Sequence, residues 1–196
     1  MNDQIFETVV TTVAADGTPH IAPFGVRYRD GHVVLMPFKP SATLDNLRTT
    51  RHAVLNLTTD TRVFAGAVCA RWLGARSWPL LPVQSFAGQR LANALAHSEL
   101  ALLHDNDHAE RPTLTLRRVL DLTHAPFPGF NRAQAAVIEG AVLVSRLQML
   151  APGKIDTEMD YLQIAIDKTA GPEEHEAWGW LREAVARQRV QAGVGA

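Results

Sequence analysis

Cysteine occurs once in the 196 residues, at position 69. A lone thiol excludes an intrachain disulfide, a CxxC redox pair and a zinc centre built on several thiolates, and gives Cys69 the part of a small buried hydrophobe. An excess of either charge is also missing. The 19 basic side chains face 20 acidic ones for a net charge of −1, a balance that offers no field to a nucleic acid. No run of about 18 apolar residues is present to cross a membrane. The opening MNDQIFETVV lacks the basic, then apolar, pattern of a secretory leader, so a cytoplasmic protein is expected and the triplet Asn56-Leu57-Thr58 should carry no glycan. GxSxG, the Walker loop, HExxH and GxGxxG are all absent. The familiar nucleophile, phosphoryl-transfer, zinc-protease and dinucleotide signatures therefore give no support.

What is present, with 46% hydrophobic residues, is enough for a globular core. Residues 5–13 (IFETVVTTV) are rich in β-branched side chains and end at Asp16-Gly17; residues 18–28 and 32–38 repeat the pattern around Asp30-Gly31. Two Asp-Gly turns around one strand predict a three-stranded antiparallel meander. Pro19 and Pro23 cannot donate to a ladder, so the middle strand should run along an edge or carry a bulge. Residues 40–50 (PSATLDNLRTT) predict a short helix capped by Ser41 or Thr43, with Leu44 and Leu47 on one face and Asp45 in the first turn. Residues 52–60 then predict a strand with Ala53, Leu55 and Leu57 on one side and Val54, Asn56 and Thr58 on the other.

Residues 64–90 mix helix formers, Gly, Pro and Trp without a period and read as a loop-rich connection. Residues 91–104 and 112–124 read as a hairpin, in which Leu114, Leu116, Leu120 and Leu122 alternate with polar residues; a helix over 91–103 is the alternative. The hairpin tip holds His104, Asp105, Asp107 and His108, two imidazoles and two carboxylates that a metal can use, but four polar residues in a turn read as a solvated tip. No metal site is expected. Three helices follow, near 131–150, 154–169 and from Pro172 onward, the last with Trp178, Leu181 and Val185 on one stripe.

One stretch invites a ligand. Lys39 offers a cation, Ser41 and Thr43 offer hydroxyls, and the free N–H groups of the helix start can face an anion such as a phosphate. The plain alternative is a helix cap beside a solvated lysine. Likewise Asn131 is a natural cap, and Arg132 is either a surface charge or a group that reaches a phosphate or a partner subunit.

The segments VTTVAADGTPHIAPFGV, KPSATLDNL and AVLNLTTD resemble the FMN-binding split-barrel superfamily of flavin reductase-like proteins. FNRAQAAVIEGAVLVSRL resembles the back half of an uncharacterised archaeal and bacterial family within it. The resemblance implies an α+β, mainly β chain: a six-stranded antiparallel split β-barrel over residues 1–127 with a C-terminal helical extension over 128–196. It implies a homodimer with FMN in a groove between subunits. Lys39, Ser41, Thr43 and Asn46 would take the phosphate, Asn56 and Thr58 the ring, Thr11 and Thr12 would be lesser contacts, and Arg132 would complete the site, from the second subunit. The expected activity is an FMN-dependent oxidoreductase acting on an unidentified small molecule, with a link by analogy to tetrahydromethanopterin one-carbon chemistry. No catalytic side chain is assigned, since flavin chemistry requires none. The alternative is a non-catalytic flavin-binding or assembly protein whose helices, with Trp178 and Trp180, recruit a partner.

Overall fold

The computed structural model describes residues 4–193. Strands β1 (Phe6–Val13), β2 (Pro19–Arg29) and β3 (His32–Leu35) form the expected meander. Its second turn needs two consecutive residues with positive φ, and Asp30 (φ 50°) and Gly31 (φ 77°) supply them, the backbone that matches the twist of a two-residue hairpin. Helix α1 (Ala42–Thr50) opens at Ser41, whose Oγ accepts from the Leu44 N–H at 3.3 Å, and β4 (His52–Leu57) follows it directly. After two short strands, β5 (Leu80–Pro82) and β6 (Gln89–Leu91), the long hairpin of β7 (Ala96–Asn106) and β8 (Thr113–Thr123) completes the sheet. The helical alternative for 91–103 gives way to strand.

The order β1-β2-β3-β8-β7-β4 closes on itself as a barrel, all of its pairings antiparallel. β2 pairs with β1 along Pro19–Val26 but meets β3 only at Arg27–Arg29. The stretch holding Pro19 and Pro23 thus has one flank without a ladder partner, as residues lacking an N–H require. Inside, Val10, Val26, Val33, Leu35, Ala53, Leu55, Leu100, Leu114 and Leu116 form the core, joined by Leu44 and Leu47 from α1. The expected one-sided burial of β4 is too simple. Val54 and Asn56 are buried as well as Ala53 and Leu55, and Leu57 is exposed.

The chain divides into two compact units, residues 1–58 with 78–127, and residues 59–77 with 128–196. The second holds α2 (Arg62–Leu73), α3 (Arg132–Ser145), α4 (Pro152–Thr169) and α5 (Pro172–Gln191). Helix α2 corrects the reading of 64–90 as loop-rich. Its consecutive residues Val63, Phe64, Ala65 and Gly66 are all buried, and a first turn buried on every side leaves no single apolar stripe to reveal the helix. Cys69 is buried among these helices as expected, and burial pushes its thiol up to about 12. Asn131 caps α3 by accepting from the Ala133 and Gln134 N–H groups.

Gly140 of α3 lets the Trp178 ring approach. A Cβ there would lie 2.8 Å from Trp178 Cζ3 and 3.0 Å from Leu181 Cδ1. Gly140→Ala gains about 1 kcal/mol of helix propensity but overpacks a buried ring contact, which costs about 1–3 kcal/mol. A net loss of stability in urea unfolding is expected; a gain would show that the ring has room to move.

Candidate functional site

The barrel unit carries two features able to receive a ligand, and both touch α1. At its start, Ser41 Oγ and O are occupied by the Leu44 and Asp45 N–H groups. The Ala42 and Thr43 N–H groups have no partner among the described residues, as the first turn of a helix dictates. The Thr43 hydroxyl is buried and also without a partner. Lys39 Nζ lies 2.7 Å from Asp107 Oδ1. Arg48 reaches the same oxygen at 2.7 Å and Asp105 Oδ2 at 2.8 Å.

The hairpin tip is solvated, with residues 103–110 exposed, and it also makes an ionic clasp to Lys39 and α1. His108 Nδ1 accepts from the Glu110 and Arg111 N–H groups and closes the turn. Among the described residues, no group of three or more His, Cys, Asp or Glu side chains is placed to hold a metal ion. Lys39, then Arg48, hold the Asp107 carboxyl down at about 2, while the Asp105 and Asp107 carboxylates push Arg48 further up. Because the folded value of Asp107 lies below the unfolded one, the clasp contributes above the ordinary carboxylate range and is lost as pH falls through about 2. With Asp107 62% exposed, water screens most of that contribution.

At the other end of α1 lies a cleft of about 570 Å³, lined by Val13, Ala14, Gly17, His52, Phe86 and Gln89 among others. The His52 and Phe86 rings stack, centroids 4.3 Å apart and planes 18° apart. One wall is the 82–89 segment, closed by a Val83 N–H to Gly88 O bond. Three buried polar side chains hold this wall and β6 against the barrel. Thr11 Oγ1 donates to Gln89 O at 2.6 Å. Asn56 Oδ1 accepts from the Leu91 N–H at 2.8 Å, and its Nδ2 donates to Val9 O and Thr11 Oγ1. Glu99 accepts from the Gln84 and Ser85 N–H groups at 2.9 and 2.7 Å.

The structure places each of the expected site residues. Asn56, with no exposed surface, and Thr11 use their polar atoms inside the protein as pins of the wall. Asn46 Nδ2 donates to Thr12 Oγ1 at 3.0 Å, tying α1 to β1 with both groups buried. Lys39, Ser41 and Thr43 do lie together at the helix start, Thr58 is half-buried just past β4, and Arg132 belongs to the other unit, exposed at the first residue of α3. Sequence reasoning missed His52, Phe86 and Glu99; the available signal was an acidic residue in the apolar run of β7. The helical unit has its own cavity of about 590 Å³ between α4 and α5, lined by none of the sequence-predicted site residues.

Two family models match: the N-terminal domain of a protein of unknown function (DUF447) over residues 6–125 and its companion DUF447 region over 131–183. The chain belongs to the DUF447 family. An FMN-bound DUF447 protein from Methanosarcina mazei superposes on it with a TM-score of 0.79 at 20% identity, covering 93% of this chain and 96% of that one. A 2-nitrobenzoate 2-nitroreductase from Pseudomonas fluorescens gives 0.52 at 18% identity, covering 63% and 66%. An NADH:FAD oxidoreductase from Streptomyces globisporus gives 0.52 at 12% identity, covering 62% and 78%. These likenesses establish the split-barrel fold of this DUF447 chain. No curated protein sequence matches it.

Two outcomes test the site. Asn56→Leu keeps the branch at Cγ but leaves the Leu91 N–H without its acceptor, a loss of about 1–3 kcal/mol that urea unfolding of the barrel should register. By carbon-detected NMR, Asp107 should titrate near 2 and return to the ordinary carboxylate range when Lys39 and Arg48 are both replaced by Ala. An unchanged midpoint would remove the clasp from the account.

Proposed function

We propose that this DUF447 protein binds FMN, with the phosphate at the start of α1, and that it is an oxidoreductase acting on a small molecule. The observation that carries this reading is the set of unpartnered donors there, the Ala42 and Thr43 amides and the Thr43 hydroxyl, beside the Lys39 cation. Helix N–H groups and a nearby cation are what a phosphate selects. The FMN carried by the Methanosarcina mazei relative supports the same choice. Asp107 opposes it, because it occupies Lys39, so an incoming phosphate competes with that carboxylate for one cation.

Bound FMN supplies hydride or electron transfer, and the chain's own residues bind, orient and exclude water. The apolar cleft lies at the Thr50 end of α1, roughly 12 Å from its start at 1.5 Å per residue. We assign the small-molecule partner to it, because its lining is largely apolar, with a stacked aromatic pair and few hydrogen-bonding groups. A homodimer with FMN at the subunit interface, completed by Arg132 of the second copy, belongs to the same reading. So does a cytoplasmic location; no helix among the described residues is long and apolar enough to cross a membrane.

Fluorescence titration with FMN checks the phosphate site. Lys39→Ala should weaken binding about 10- to 100-fold, the range of a lost charge-assisted bond. Asp107→Asn, which frees Lys39 and removes a nearby negative charge, should tighten it. Thr43→Val should weaken it with circular dichroism unchanged. Equal affinity in all three variants would sink the assignment. Sustained oxidation of a reduced nicotinamide, rather than one stoichiometric reduction, would separate an enzyme from a binder.

A further inference from the structure

Glu99 is a carboxylate with no exposed surface, seated beside an irregularity in β7. Burying an ion is costly unless it is paired and hydrogen-bonded. Burial pushes its carboxyl up, but the bonds from Gln84 and Ser85, with help from His97, outweigh that and hold it below its ordinary value. Oε1 accepts from the Gln84 N–H and also faces His97 Nε2 at 3.4 Å; Oε2 accepts from the Ser85 N–H. His97 is buried, and its Nδ1 lies 2.8 Å from Nε2 of His124, an exposed residue just past β8. The two imidazoles are nearly parallel, 6° apart. A hydrogen-bonded path therefore runs from solvent to the carboxylate that holds the cleft wall.

The 2.8 Å contact needs one donor and one acceptor. In the neutral pair, the His124 Nε2–H donates to His97 Nδ1, which leaves a His97 Nε2–H facing Glu99. An added proton enters at the free Nδ1 of His124, and passing the bridging proton to His97 Nδ1 keeps the contact and moves the positive charge beside Glu99 Oε1. Adding a second makes the contact donor against donor, between like charges 5.0 Å apart by ring centroid. The pair therefore accepts one proton and resists the next. From β6 the charged group that faces it is Arg90, whose guanidinium donates to the Leu91 and Ala92 carbonyls. Burial, then Arg90, then His97 lower the His124 pKa. β4 places the neutral Asn56 opposite His97, and the 83–88 segment brings no titratable side chain.

We propose that Glu99 is the positioning residue of the cleft wall and that the His97–His124 pair makes its hold respond to pH. The His97 Nε2–H faces Oε1 in either state; a positive charge on the ring draws that oxygen in from 3.4 Å and away from the Gln84 N–H, and leaves Oε2 with Ser85. Acidification thus loosens the Gln84 end of the wall next to Phe86 and spares the Ser85 end. This inference rests on the cleft geometry and not on the cofactor, so it can fail while FMN binding stands, and the reverse.

Amide hydrogen exchange read by NMR on the full chain without flavin tests it. After correction for intrinsic rates, protection at Gln84 should fall about tenfold or more from pH 8 to 5.5, while Ser85 changes less than about threefold. His97→Gln should abolish that pH dependence, and His124→Asn should shift its midpoint. Glu99→Gln should lower protection at both amides at every pH, with the core amides of Leu55 and Leu100 unchanged as the control for folding. Gln84 protection that is flat with pH in the native chain, or equally pH-dependent in His97→Gln, would overturn the proposal. Should Glu99→Gln fail to fold, the native and His97→Gln titrations still decide.

Discussion

The carboxamide of Asn56 is the interaction on which the barrel unit turns. Buried in β4, it donates to Val9 and Thr11 of β1 and accepts from Leu91 of β6. One side chain thereby serves the seam that closes the barrel and the segment laid over its outside. Its value is asymmetric. The bonds themselves add about 1 kcal/mol each, but a buried N–H left without an acceptor costs its full desolvation penalty. The wall therefore cannot shift freely along the barrel, and the cleft it borders has a defined shape.

Thr11 and Glu99 act in the same way on either side of that point, each placing a buried acceptor or donor against backbone of residues 84–89. A loop held through its main chain keeps its place whatever side chains it carries, so the cleft is preorganised. At the start of α1 the balance differs. Donors are left open, but Asp105 and Asp107 sit close to the cations that would complete an anion site. An anion there would meet a balance between two exposed charge pairings, which salt screens more than the buried bonds of the wall.

Much of the fold was legible in the chain because its signals are local. Asp30-Gly31 marks a turn that needs two positive φ values, Ser41 and Asn131 mark helix starts, and the Trp178, Leu181 and Val185 stripe marks a buried helix face. Helix α2 escaped because the buried residues of its first turn occupy every side, so no single stripe survives. The cleft wall escaped because its two strands span three residues each and are held by groups distant in sequence. In the site, the helix start at Lys39, Ser41 and Thr43 was readable from residue types. The partners of Asn56 and Thr11 were not, because a buried polar residue looks the same whether it serves a ligand or another strand.

The sequence by itself determined the meander, the capped α1, the three C-terminal helices and the cluster of anion-seeking groups at residues 39–43, since each depends on neighbours within about a turn or a hairpin. Only the tertiary structure decided that β4 is buried on both faces, that Asp107 meets Lys39, and that Glu99 meets Gln84 and Ser85. Those pairings join residues 14 to 68 positions apart. They exist because the fold brings distant segments together, and at Glu99 the burial that follows makes hydrogen-bond partners necessary.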